Sequence, residues 1–278
     1  MQPMPAAVER HVAHEWIERV RGGRRERMRD ELAVEEPLEI RVDGTAIAVT
    51  MRTPGEDEEL AVGFLAGEGL IAGPGDVGSA GPAADLAANV VEVHTTGGLR
   101  RDPARERTFH LTSSCGVCGK AALEHVRIAA PPPAAPAPPL DPAIVTAAPG
   151  SIRGEQDAFD HTGGMHATGL FTASTGELRV VREDVGRHNA MDKAIGAELL
   201  AGNWPLTDAF ACVSGRASFE LVQKAALAGL AGLVAVGAPS TLAVSLARDR
   251  GIVLCGFVRG GGFNVYASAE GVSCAQGE

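Results

Sequence analysis

From residue 167 onward the chain switches regularly between short apolar runs and helix-length segments, and that alternation restricts the fold more than any other feature. Residues 167–173 and 177–181 read as a hairpin turning through Thr175-Gly176. Residues 187–200, 218–228 and 240–250 read as helices, and residues 208–213, 232–236 and 252–258 as the strands between them. Strands joined by helices of this length pair in parallel, because each helix carries the chain back across one face of the sheet. The expectation is an α/β domain over 143–278, entered by a helix over 142–159 and closed by an edge strand over 264–268.

The first half is patterned differently. Residues 1–34 mix Arg19, Arg21, Arg24, Arg25, Arg27 and Arg29 with Glu18, Glu26 and Asp30, as in a loosely held lead-in with a solvated helical face. Leu38-Glu39-Ile40-Arg41-Val42 alternates at period two, Asp43-Gly44 signals a tight hairpin, and residues 46–51 return as its second strand. Residues 56–70 read as a helix with an acidic first turn and Leu60, Phe64 and Leu65 on its apolar side. Residues 72–88 lack periodicity and read as a loop. Residues 90–94 and 108–111 suit two more strands, and 121–128 a short helix. A Pro-rich linker over 129–142 then separates a small mixed-sheet α+β domain (35–128) from the α/β domain.

A formal net charge of -10 on 278 residues argues against a general nucleic-acid binder. Five cysteines are too few for a disulfide scaffold and fit a reducing cytosol. Neither a signal peptide nor an apolar run long enough to span a bilayer is evident, so a soluble cytoplasmic protein with no membrane partner is expected.

Two groups of residues suit chemistry. In Ser113-Ser114-Cys115-Gly116-Val117-Cys118-Gly119-Lys120 two thiols sit in a Gly-bounded loop beside a cation that favours the thiolate. The pair is open to three readings: half of a zinc site, a redox dithiol, or a sulfur-carrying persulfide. Zinc needs two further ligands; no second Cys-x-x-Cys is present, and the His-x4-His of His161 and His166, followed by the distant His188, is a weak ligand pattern, so no metal is expected. A thioredoxin-like pair opens a long helix after a strand, whereas this one lies in a Gly-rich loop before a short helix. For atom transfer, Cys115 is the attacking thiol and Cys118 its resolving companion. The second group is a set of turns in the α/β domain. Ser214-Gly215-Arg216-Ala217-Ser218, Ala238-Pro239-Ser240, Glu183 to Asn189 with Arg187 and His188, and Phe257-Val258-Arg259-Gly260-Gly261-Gly262 all follow strands. Parallel strands bring such turns to one sheet edge, where backbone N–H groups and arginines suit a nucleotide or pyrophosphate. His161 and His166 flank Gly163-Gly164 and are further candidates for lining a site.

Taken together, these motifs resemble the FdhD family, the accessory sulfurtransferases of formate dehydrogenase. The stretches that carry the resemblance are Glu35 to Ile40, Thr53 to Leu65, Ser113 to Lys120, His161 to Gly169, Arg182 to Lys193, Ser214 to Lys224 and Gly256 to Tyr266. The resemblance implies a cytidine-deaminase-like α/β domain without zinc ligands, and a homodimer. It also implies that an IscS-type cysteine desulfurase loads a persulfide at Cys115, with Cys118 as companion. The sulfur then passes to the molybdenum bis(molybdopterin guanine dinucleotide) cofactor, with GDP as its mimic, before insertion into formate dehydrogenase. Phe257 to Gly262 correspond to the family's cofactor-binding stretch. The alternative from the binding class is a cofactor chaperone whose Cys pair is structural or zinc-binding.

Overall fold

A computed structural model describes residues 10–83, 88–100 and 139–273. Two sheets and a projecting two-stranded ribbon organise it. The larger sheet has six strands in the order β12-β11-β10-β9-β7-β8. Its centre is β9 (Ala209–Val213), β10 (Gly232–Ala235) and β11 (Val253–Arg259), which run parallel as expected. The hairpin β7 (His166–Thr172) and β8 (Leu178–Asp184) joins through β7, antiparallel to β9, and β12 (Gly262–Ala267) closes the other edge.

Both faces of this sheet are covered, which is why its central strands β9 and β10 are apolar and buried at every position. Ala209, Ala211 and Val213 point to one face with Leu170, Leu233 and Leu254. There they meet the helices α4 (Arg187–Leu200), α5 (Phe219–Ala228) and α6 (Thr241–Arg250). Phe210, Cys212, Val234 and Cys255 point the other way, toward α2 (Pro142–Arg153). Cys212 and Cys255 are both fully buried in this core and pack there as small apolar groups. The single helix expected over 142–159 is two, because the chain breaks at Gly154 before α3 (Asp157–Thr162).

The smaller sheet has the order β4-β3-β6-β5, built from β3 (Glu36–Val42), β4 (Thr45–Arg52), β5 (Val77–Pro82) and β6 (Val90–Thr95). Helix α1 (Asp57–Gly67) covers one face through Leu60, Ala61 and Leu65 against Leu38, Ile40, Val91 and Val93. The loop expected over 72–88 contains a 3-10 turn (Pro74–Asp76) and the edge strand β5. With Gly78, Gly81 and Pro82 in it, β5 has no alternation to detect; its ladder with β6 makes it a strand.

Residues 10–34 depart further from expectation. In place of a solvated helix, β1 (Val12–Arg21) and β2 (Arg24–Ala33) form an antiparallel ribbon. Opposite charges that suit helical neighbours also face each other across this ladder, as Glu18↔Arg27 and Arg19↔Glu26 do. Gly22-Gly23, both at positive φ (54° and 77°), is the local signal that decides for the hairpin. At the other junction Leu140, within the linker stretch, is fully buried and bridges to Val272. The strand expected at 108–111 and the helix at 121–128 lie outside the described residues. No helix among the described residues is long and apolar enough to cross a membrane.

The two sheets are joined where α1 crosses α4. A Cβ at Gly63 would lie 1.8 Å from the Asp192 carbonyl oxygen, and one at Gly196 would lie 1.9 Å from that of Glu59. Only glycine allows this backbone-to-backbone approach. Buried charge surrounds it. Lys193 Nζ lies 3.1 Å from Asp184 and donates to the Thr53 carbonyl at 2.9 Å. Lys224 Nζ lies 2.9 Å from Asp192. Arg182 forms a two-pronged pair with Glu59 at 2.5 and 2.7 Å.

Gly63→Ala therefore tests the junction. Alanine favours helix by roughly 1 kcal/mol, but overpacking here outweighs that, for a net loss of about 3 kcal/mol. Thermal unfolding should drop by roughly 6–12 °C. Gly150, in α2 with open space around it, should show the opposite sign when changed to Ala.

Candidate functional site at the strand-end edge of the large sheet

Strands β8, β9, β10 and β11 all point the same way, so their carboxyl ends meet at one edge, where β7 also begins with His166. The turns singled out from the sequence are laced together there. Ser214 Oγ accepts the Ala167 N–H at 2.9 Å. The Gly237 N–H donates to Gly215 at 2.9 Å, and the Phe257 N–H donates to Gly237 at 3.1 Å. Gly237 permits this spacing, because a Cβ there would stand 3.0 Å from the Gly215 oxygen.

Three helices start at this edge, and they are not equivalent. Ser240 caps α6 by accepting the Ala243 N–H at 3.2 Å, so Ala238-Pro239-Ser240 is an ordinary capped turn. Gly186 begins α4 with no side-chain cap. Ser218 occupies the N-cap position of α5, yet its hydroxyl makes no cap bond. It instead lies 3.2 Å from His188 Nε2 and donates to Glu220 at 3.2 Å. Among the described residues no side chain caps the first N–H groups of α4 and α5, which lie beside Arg187 and Arg216. Such termini favour an anion.

His188 binds both of its partners through one ring nitrogen: Nε2 is 2.9 Å from Glu220 and 3.2 Å from Ser218. A nucleophilic triad uses the two imidazole nitrogens separately, so this cluster is not one. It ties the start of α4 to the start of α5. The hydrogen bond from His188 is the main reason that the Glu220 carboxyl is pulled down to about 2, with the His188 charge, the Ser218 hydroxyl and Arg187 adding to it. His166, half-buried, is shifted below the usual imidazole value by burial first, then by Arg187 and His188. Beneath them Asp184, fully buried, accepts N–H groups from Gly186 at 2.8 Å and Thr53 at 3.0 Å, and an amide proton of Asn189 at 2.9 Å. It fixes the entry to α4 and hence the aim of Arg187 and His188. The Asp-x-Gly spacing ahead of a helix was its only trace in the sequence.

The fourth turn leads into β12 and not into a helix. Gly260 and Gly261, at φ 61° and 78°, form the tight hairpin turn, and space around Gly260, Gly261 and Gly262 is open. Val258 is buried in the core. Phe257 takes the left-handed conformation (φ 54°) and stays 37% exposed, with the Arg259 guanidinium 5.6 Å from its ring centre. A bulky residue at positive φ stores strain of about 1–3 kcal/mol, a frequent mark of ligand-facing positions. The structure thus brings Arg187, His188, Ser214, Gly215, Arg216 and Phe257 to Gly262 to one edge. His161 is elsewhere, with Nδ1 2.8 Å from Glu31 of β2. Cys115, Cys118 and Lys120 lie outside the described residues. Among the described residues no three His, Cys, Asp or Glu side chains are grouped to hold a metal ion.

Glu220 has a definite pH signature. Its folded-state value is below the ordinary value of about 4.5, so it adds stability above that pH and loses it as pH falls toward 2. It is part-exposed, so screening reduces the effect to about 1 kcal/mol. Denaturant midpoints at pH 5 and pH 3 should differ less in Glu220→Gln than in the unaltered protein.

Comparison with known proteins agrees with the motifs. A sequence profile of the FdhD/NarQ family matches residues 33–273. The chain is 49% identical over 264 residues to the sulfur carrier protein FdhD of Streptomyces coelicolor, covering 92% of this chain and 93% of that one. It is 52% identical over 252 residues to the sulfur carrier protein FdhD of Mycolicibacterium paratuberculosis, covering 86% and 90%. A crystal structure of a formate dehydrogenase accessory protein from Desulfotalea psychrophila shares the fold, with a TM-score of 0.77 at 24% identity over 94% of this chain and 99% of that one. With one profile spanning both sheets and relatives about half identical along most of its length, this chain belongs to the FdhD/NarQ family.

Proposed function

We propose that the protein is a cytoplasmic sulfur carrier for formate dehydrogenase, acting as a homodimer. The observation that carries the reading is the near-half identity, over most of the chain, to relatives named sulfur carrier protein. In this reading the Cys115 thiolate attacks the terminal sulfur of a persulfide on an IscS-type cysteine desulfurase. A new S–S bond forms at Cys115, the donor S–S bond breaks, and its electron pair leaves with the donor thiolate, so the step has no net redox change. Cys118 stabilises or resolves the persulfide, and Lys120 favours the thiolate.

The acceptor is the molybdenum bis(molybdopterin guanine dinucleotide) cofactor, held as a substrate. The geometry supports a pyrophosphate-bearing guest at the strand-end edge. The uncapped starts of α4 and α5 offer N–H donors, and Arg187, Arg216 and Arg259 offer cations. The open Gly260-Gly261-Gly262 turn leaves room beside Phe257 and Arg259. His188 and Glu220 hold these two helix starts in register.

Incubation with a cysteine desulfurase, pyridoxal phosphate and sulfur-labelled cysteine should place label on Cys115 and none on that position in Cys115→Ala. Unlabelled protein, or equal labelling of the variant, overturns the carrier reading. Calorimetry with GDP should show binding that weakens about tenfold or more in Arg216→Ala, the loss of one charge-assisted contact. Unchanged affinity removes the strand-end edge as the nucleotide site.

A further inference from the structure

The ribbon β1–β2 has no part in the chemistry above, and its surroundings are unusual. Among the described residues only its base is fastened. The Val34 N–H donates to His11 at 2.9 Å, and Glu31 lies between His14 at 3.8 Å and His161 at 2.8 Å. Farther toward the tip, no hydrogen bond or ion pair joins the ribbon to the body among the described residues. The contacts there are internal: Arg25 with Glu18 at 3.2 Å, and the Arg27 guanidinium 4.9 Å from the Trp16 ring centre. Strands of this length extend roughly 30 Å, and a lone two-stranded hairpin is marginal in water.

What the ribbon shows to solvent is specific. Trp16 is 60% exposed, Val20 62% and Leu32 42%. The register places Trp16 and Val20 on one face with Arg25, Arg27 and Arg29. Exposed tryptophan among arginines is the mixture that dominates the energetic centres of protein interfaces. Charge indicates the counterpart. Residues 18–29 hold six arginines and two glutamates, a net of +4 on a chain of formal net charge -10, which leaves -14 on the remainder. Charge complementarity therefore favours the acidic body of another copy as the counterpart of this tip.

We propose that the β1–β2 ribbon is an arm that docks, through Trp16, Val20 and its arginine tip, on the acidic body of a second copy of this chain. Each copy gives one arm and receives one, as a two-fold contact requires. The proposal rests on the dimeric reading above and assigns that dimer its surface.

Sedimentation equilibrium of the full chain tests it. The unaltered protein should run at about 57 kDa, twice its 28.6 kDa mass, and dissociate more readily as salt rises toward about 0.5 M. The double variants Trp16→Ser with Val20→Ser, and Arg25→Glu with Arg27→Glu, change exposed side chains. Each should keep the circular dichroism of the parent and raise the dimer dissociation constant at least tenfold. A parent that stays monomeric overturns the dimeric reading and the arm with it. A dimeric parent with less than a tenfold change in either variant overturns the arm alone. The labelling of Cys115 is a separate readout, so sulfur loading and the docking surface stand or fall independently.

Discussion

The structure depends on one close crossing, that of α1 over α4 at Gly63 and Gly196. Two helix backbones touch there without side chains between them, and the space saved brings the small sheet's helix onto the large sheet's helix layer. Close approach removes water from the charged groups around it. Lys193 and Lys224 are both buried, and removing Asp184 or Asp192 would leave each ammonium only a more exposed glutamate, Glu56 at 3.6 Å or Glu68 at 3.4 Å, for compensation. The crossing and the ion pairs therefore require each other. The glycines make the gap narrow enough to be dry, and the pairs make a dry gap tolerable.

That junction reaches the candidate site through Asp184. The same carboxylate that meets Lys193 and the Thr53 N–H also accepts from Gly186 and Asn189 at the start of α4. The orientation of Arg187 and His188 is thus set partly by the smaller sheet, from more than 130 residues away in sequence. Mutual dependence of this kind makes the two sheets one mechanical unit at the strand-end edge. It also explains why a buried charge network persists where apolar packing would serve stability as well.

Much of this was legible from local patterns. The parallel core β9–β10–β11 followed from apolar runs separated by helix-length segments, and the meeting of turns at one edge followed from their shared direction. The ribbon β1–β2 was misread because opposite charges at short spacing satisfy helical neighbours and cross-strand pairs alike. Strand β5 was missed because a Gly- and Pro-bearing edge strand has no buried face to impose alternation. Of the site, Arg187 and Arg216 were visible as cations, and His188 as an imidazole, beside helix starts. Glu220 was not, since an acidic residue in a first helical turn is ordinary until His188 is found 2.9 Å away.

The chain's own residue order determined the α/β alternation, the three strand-to-helix turns and the tight glycine hairpins, because each rests on neighbours a few residues apart. Membership in the family was legible in the same way, through motifs read along the chain. Only the tertiary structure decided which helix start keeps its cap, that His161 serves the ribbon while His166 faces the edge, and that Gly63 and Gly196 are contact points. Those facts depend on which distant backbone arrives opposite a residue. No local propensity encodes that arrival; burial of the two cores and the satisfaction of the polar groups caught between them determine it.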